Sequence, residues 1–337
     1  MAKSLLYIIG NGFDLAQGLK SRYKDFYPYY LKQESSNEAV KLLKKEIKDN
    51  IGDWSDMELA LGKFTQLVES ESLFTELYYD LCENLSAYLQ AETEKRRFAL
   101  NPKILGDFFD PNRYLEPIDQ RTYQEHFARL IDKDMGRVSV NVITLNYTDT
   151  IEKLTGFSGA SHMSFDSVFY WINGICHRHG RIGDTILLGV NDEKQIANEA
   201  FKQNVMVKEC LIKPTSIMSM RSENDLLCKD MIDNAGIIVL FGVSLGETDA
   251  CLWNDVVQSL DRKDPALIVY FHHSSVIIPT TRKQLLGRKE AEVRKLLYKR
   301  LGVPETHQSD REILVGYNKK IFVDEENTKN SPVLKMG

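Results

Sequence analysis

The chain has no apolar run long enough to cross a membrane. Its longest, Gly236-Ile237-Ile238-Val239-Leu240-Phe241-Gly242-Val243, falls far short of the ~20 residues that a span needs. It also has no C-x-x-C pair. Five scattered cysteines, Cys82, Cys176, Cys210, Cys228 and Cys251, argue against a disulfide framework or a four-cysteine zinc module. They read as reduced, small buried hydrophobes. Positive charge is not in excess: 43 Lys and Arg stand against 48 Asp and Glu, a net charge of −5, which makes a dedicated nucleic-acid binder unexpected. Only a short strand-like apolar run follows Met1-Ala2-Lys3, too little for the core of a signal peptide, so a cytoplasmic protein without membrane contact is expected. Internal repeats and low-complexity segments are missing. So is the third glycine of G-x-G-x-x-G, because Leu15 stands in its place, and so is a P-loop lysine. An ordinary dehydrogenase or NTPase is therefore disfavoured.

What is present is ordinary globular text: 337 residues, 43% hydrophobic and 27% charged. Short apolar, β-branched runs at about 4–9, 138–145, 167–176, 185–190, 236–243 and 266–271 read as strands. Helical stretches between them imply parallel pairing by crossovers, hence an α/β fold with a parallel, Rossmann-like sheet flanked by helices. Residues 23–135 differ, carrying charged helical periodicity as in Glu38 to Ile47 and again from about Asp56 to Glu94, with a last helix at roughly 118–134 after Pro111 and Pro117. That length exceeds one crossover helix and reads as a large helical insertion after the first strand. The expected organisation is a nucleotide-binding core in residues 1–22 and 136–275, the insertion in 23–135, and a C-terminal part in 276–337. The last part would supply a helix at about 281–301 and edge strands at 312–315 and 320–323, before a frayed tail.

Four segments put polar or glycine residues where strands should end, the ligand edge of an open parallel sheet. They are Gly10-Asn11-Gly12-Phe13-Asp14, Asn146-Tyr147-Thr148-Asp149, His177-Arg178-His179-Gly180, and Gly242-Val243-Ser244-Leu245-Gly246-Glu247-Thr248-Asp249. Glycine lets backbone approach a phosphate closely at a helix start. Asn146 and Asp149, or Thr248 and Asp249, equally suit helix caps. His177 and His179 would share a face of an extended segment, but no third ligand stands at a telling spacing, so no metal is predicted. Of the adjacent His272 and His273, at most one can face a site.

Taken together, these segments resemble the bacteriophage abortive-infection AbiH family: I-I-G-N-G-F-D-L-A at the start, N-Y-T-D-T-I-E in the middle, a later H-G, then F-G-x-S-L-G-E-T-D. Trp54-Ser55-Asp56-Met57-Glu58 is similar to that family's W-x-D-x-E segment. More distantly, the four segments look like those of sirtuin-like NAD-binding domains. That resemblance implies that Asn146 positions an attacking water, that His179 is the catalytic histidine, and that Gly10, Gly12, Gly242 and Ser244 cradle the cofactor, with Asn11, Phe13, Asp14 and Asp249 beside them. The acidic residue expected two places after the asparagine is Thr148 here, with Asp149 one place later as the remaining catalytic candidate.

The implied function is an antiphage effector that hydrolyses NAD, with NAD as substrate and a phage-derived trigger as partner. The chemistry suits the residues: cleavage passes through an oxocarbenium-like state, nicotinamide leaves without a strong general acid, and an amide and an imidazole suffice to place and deprotonate water. Main-chain amides from Gly10 to Phe13 would hold the pyrophosphate, and Glu247 or Asp249 the ribose hydroxyls. Two alternatives remain at this level: a nucleotide-binding sensor without turnover, and a metal-dependent nuclease built on His177, His179, Asp184 or Asp192. The helical insertion suits a lid, a homo-oligomer interface or a trigger sensor.

Overall fold

The computed structural model describes residues 3–131, 136–157, 161–165, 167–263, 265–272, 282–303 and 313–323. Seven strands form one sheet: β1 (Ser4–Ile9), β2 (Arg137–Thr144), β3 (Ser161–Phe165), β4 (Val168–His177), β5 (Ala235–Phe241), β6 (Ala266–Phe271) and β7 (Ile313–Tyr317). Their order is β3-β4-β2-β1-β5-β6-β7, and every pair is parallel except β3 with β4. The chain lays β2 and β4 on one side of β1, then crosses back to lay β5 on the other. A crevice opens at such a reversal, outside the carboxyl ends of the central strands.

The six residues of β1 are all buried, because helices cover both faces of the sheet. Leu5, Tyr7 and Ile9 face one core, closed by the helices Pro102–Phe109, Pro117–Phe127 and Thr150–Thr155. Leu6 and Ile8 face the other, under the helices Asn224–Asp233, Ala250–Lys263 and Lys283–Leu301. Between β1 and β2 the described residues form helices and turns. A third core joins the helices Tyr23–Tyr30, Glu38–Asp49, Met57–Phe64 and Glu71–Glu94 to residues 186–212. The helix Glu38–Asp49 shows why: Ala39, Val40, Leu43 and Ile47 make one buried stripe, and the Asn37 side chain accepts hydrogen bonds from the amides of Ala39 and Val40 at its start.

Three expectations need correction. Residues 185–190 are not a strand: Ile186 and Val190 make single bridges only. Their apolar side chains enter the third core, and side chains satisfy part of their backbone, Tyr78 Oη accepting from Leu188 N at 3.3 Å. The helical text from Asp56 to Glu94 is broken at residues 65–70, where the Ser70 hydroxyl caps the longer helix. The expected strand at 320–323 is a turn. Asn318 and Phe322 both have positive φ, Phe322 N donates to Asp107 Oδ2 at 2.9 Å, and the Phe322 ring seats against Phe108 with centroids 4.5 Å apart. His273 and residues from 324 onward lie outside the described residues.

Candidate functional site

The sheet register brings the four polar segments to one edge. Ile9 pairs with Thr144 on one side and Phe241 on the other, and Thr144 pairs with His177. Gly10, Asn146, His179 and Gly242 therefore follow strand ends that lie side by side. All four line a cavity of about 360 Å³, shared with Tyr23, Glu58 and Leu85 from the helical core.

The glycine corner is built by close approach of two turns. A Cβ on Gly12 would stand 2.4 Å from Gly242 Cα, and one on Gly10 would stand 2.6 Å from the Gly242 oxygen. Gly242 itself has φ of +67°, where a side chain is strained. The amides expected to hold pyrophosphate are instead used within the protein: Gly10 N donates to Phe241 O, Gly12 N to Gly242 O and Phe13 N to Gly10 O, each at 3.0 Å. The Phe13 ring packs in the sheet core against Phe322 and is not part of the cavity wall. The Asn11 amide donates to Ser21 O at 3.1 Å and its oxygen accepts from the Ser21 hydroxyl, closing the loop that follows. Ser244 sits exposed at the rim, its carbonyl accepting from Arg300 Nη1 at 2.7 Å.

Asn146 is held by its backbone. Its N–H donates to Thr144 Oγ1 at 3.1 Å, and its carbonyl lies 3.0 Å from His177 Nδ1. The other His177 nitrogen meets Glu152 Oε1 at 2.6 Å, so this histidine orients Asn146 and does not share a face with His179. The Asn146 Nδ2 atom is buried and makes no hydrogen bond, and neither does Asp14 Oδ1. Asp14 Oδ2 accepts from the Thr148 hydroxyl at 2.7 Å. Burial pushes the Asp14 carboxyl up to about 6, against the pull of the Thr148 and Thr150 hydroxyls, of His177 and of the Asn146 amide, which faces it without forming a full hydrogen bond. Asp149 is outside the cavity wall: its carboxylate pairs with Lys153 at 2.8 Å on a half-exposed surface. Asp14 does line the cavity, as do Asp56, Glu58 and Asp249.

His179 stands in a turn made by Gly180, at φ of +75°, where a Cβ would meet Thr185 O at 1.9 Å. Its Nε2 lies 2.9 Å from Asp249 Oδ1, within ion-pair range but off the line of a hydrogen bond. The same Asp249 oxygen is 2.9 Å from Lys213 Nζ, which is also 2.9 Å from Glu58 Oε2. Burial pushes Glu58 up, with Lys213 opposing. Burial opposes the charge of Lys213 too, but Glu58 and Asp249 win and hold its ammonium above the usual range. Asp249 likewise pays a burial cost that His179 and Lys213 outweigh, leaving it well below the usual carboxylate range. Glu247 is exposed and does not line the cavity.

Glu58 was legible as the last residue of the W-x-D-x-E segment. Lys213 carried no signal: it is a lone lysine before Pro214. Among the described residues no group of three or more His, Cys, Asp or Glu side chains is placed to hold a metal ion, and no helix is long and apolar enough to cross a membrane. A larger cavity of about 640 Å³ lies along a neighbouring face of the helix Glu71–Glu94, lined by Tyr78, Cys82, Ser86 and Met206; of the sequence-marked candidates it holds only Asp184, away from His177 and His179.

Fold and site define an α/β protein with a polar cavity at the carboxyl edge of a mostly parallel sheet. The chain belongs to the family described as bacteriophage abortive infection AbiH, whose model matches residues 6–271. That match spans every cavity residue named above. No curated protein matches the chain significantly.

Proposed function

We propose that this abortive-infection protein hydrolyses NAD at the nicotinamide–ribose bond, using a sirtuin-like arrangement of its sheet edge. One observation carries the reading: Asn146, Asp14 and His179 line one cavity, and there Asn146 Nδ2 and Asp14 Oδ1 are both buried without a well-formed hydrogen bond. An unsatisfied buried amide costs about 1–3 kcal/mol and is retained where a ligand completes it. In the proposed reaction the bond between ribose C1′ and the pyridinium nitrogen breaks, and its electron pair neutralises the ring. A water oxygen bonds to C1′, and its proton passes to His179. Asn146 Nδ2 donates to that water or to a ribose hydroxyl, and Asp14, across from it, stabilises the positive charge that develops on the sugar. With three amides of the glycine turn already engaged, recognition of the phosphates falls to other groups at the rim, Ser244 among them.

The test is release of nicotinamide from NAD by the purified full chain, prepared from uninfected and from phage-infected cells. Release by wild type that is lost in Asn146→Ala and His179→Ala supports the reading. Equal consumption by all three proteins in both preparations would sink it. NAD binding without release, unchanged by His179→Ala, would mark the site as a sensor.

A further inference from the structure

Lys213 is the buried cation of the site, and no motif marks it. It opens the helix Lys213–Ser219, and its backbone N–H donates to Val190 O at 2.9 Å. Lysine is almost never fully buried unless paired; here two carboxylates from distant segments pair with it. Glu58 comes from the helix Met57–Phe64 of the helical core, and its Oε1 also accepts from Gly189 N at 3.5 Å. Asp249 comes from the turn after β5 and is shared, through one oxygen, between Lys213 and His179. The four side chains form a file from the helical core to the sheet edge: Glu58, Lys213, Asp249, His179.

A carboxylate oriented by one strong partner can in turn orient an imidazole, as the third member of a nucleophile–base–orienter set does. Asp249 has no freedom to choose its own rotamer here, because the ammonium holds the oxygen that His179 meets. Removing the ammonium leaves Asp249 and Glu58 as two buried carboxylates with no cation between them. They would then separate or take up a proton, and His179 would lose its fixed partner.

We propose that Lys213 is a positioning residue: anchored by Glu58, its ammonium fixes Asp249, and Asp249 fixes the His179 imidazole. The packing of the helical core thereby sets the geometry of the histidine at the sheet edge. The consequence for turnover rests on the NAD reading, but the positioning itself does not.

The experiment follows the His179 ring by NMR in the full chain, its signals assigned by their loss in His179→Ala. The variants are Lys213→Met and the double variant Glu58→Gln with Lys213→Met. The double variant removes one charge of each sign and leaves no orphaned Glu58, so it carries the comparison where the single variant does not fold. The expected result is a moved His179 signal in the folded variant with the other histidine signals in place. Alongside it, kcat for nicotinamide release should fall on the order of 100-fold with KM little changed. His179 signals that superimpose on wild type in a folded variant overturn the proposal. If wild type releases no nicotinamide, the NAD reading falls alone, and the ring signals still decide the role of Lys213.

Discussion

Thr148 donates its hydroxyl to Asp14 Oδ2 at 2.7 Å, joining segments 134 positions apart in the chain. The residue two places after Asn146 therefore supplies a hydroxyl and not a carboxylate. The carboxylate comes instead from the first helix, Gly12–Ala16, and Thr148 holds it at the cavity wall beside Asn146.

Asp14 makes stability depend on pH in an unusual direction for an aspartate. Its folded value, about 6, lies above the ordinary aspartate value of 3.8. The native state therefore holds this proton more tightly than the unfolded chain. Its contribution is full below about pH 4 and is lost as pH rises through about 6. The shift corresponds to on the order of 3 kcal/mol at neutral pH. Asp14→Asn should thus resist urea better than wild type at pH 7.5, with the advantage shrinking as pH falls towards 4. An unfolding midpoint difference that is flat over that range would contradict the assignment.

The two aspartates that the sequence offered, Asp14 beside the cofactor and Asp149 as a catalytic candidate, should separate in function. Asp14 lines the cavity; Asp149 pairs with Lys153 outside it. Asp14→Asn is expected to cut nicotinamide release by about 100-fold or more, the scale of losing an oriented charge at a reacting centre. Asp149→Asn should stay within a few-fold of wild type, since an exposed i,i+4 pair contributes only about 0.3–0.5 kcal/mol. Steady-state assays of both variants at one pH decide it.

The glycine corner tolerates no side chain. A methyl group on Gly12 would stand 2.4 Å from Gly242 Cα, where the neighbour is backbone and has little room to move. Gly12→Ala should cost about 1–3 kcal/mol or more, read as a lowered denaturant midpoint. It should also weaken NAD binding, because the turn after β1 can no longer sit against the turn after β5. A variant as stable as wild type would show that the two turns can part without penalty.

Asp107 anchors the end of the described chain. It is fully buried; Oδ1 accepts from Arg113 Nη2 at 2.9 Å and from the Tyr114 hydroxyl at 2.6 Å, and Oδ2 accepts from Phe322 N. Asp107→Ala leaves the buried Phe322 amide without its acceptor and frees a half-exposed guanidinium to water, an expected loss of about 1–3 kcal/mol. Limited proteolysis should then cut near Phe322 faster than in wild type, with the sheet otherwise retained.

Much of the fold was legible because its signals are local. The buried run of β1, the β-branched runs of β2, β5 and β6, and the amphipathic stripe of Glu38–Asp49 each announce themselves within a dozen residues. The run at 185–190 misled for the same reason: apolarity shows that a segment is buried, but not whether its backbone finds strand partners or, as here, side chains. The turn at 320–323 failed similarly, since Phe322 has positive φ and its N–H is taken by a carboxylate more than two hundred residues earlier.

By itself the sequence determined an α/β chain whose polar and glycine segments fall at strand ends, together with the family those segments mark. The two-residue alternation of strands and the spacing of turn residues are enough for that. Only the tertiary structure decided that Asp14 and not Asp149 faces the cavity, that three amides of the Gly10–Phe13 turn are already bonded, and that Lys213 links Glu58 to Asp249. Each is a matter of which side chains meet across long separations, and a buried charge or an unpaired amide has meaning only once the groups around it are in place.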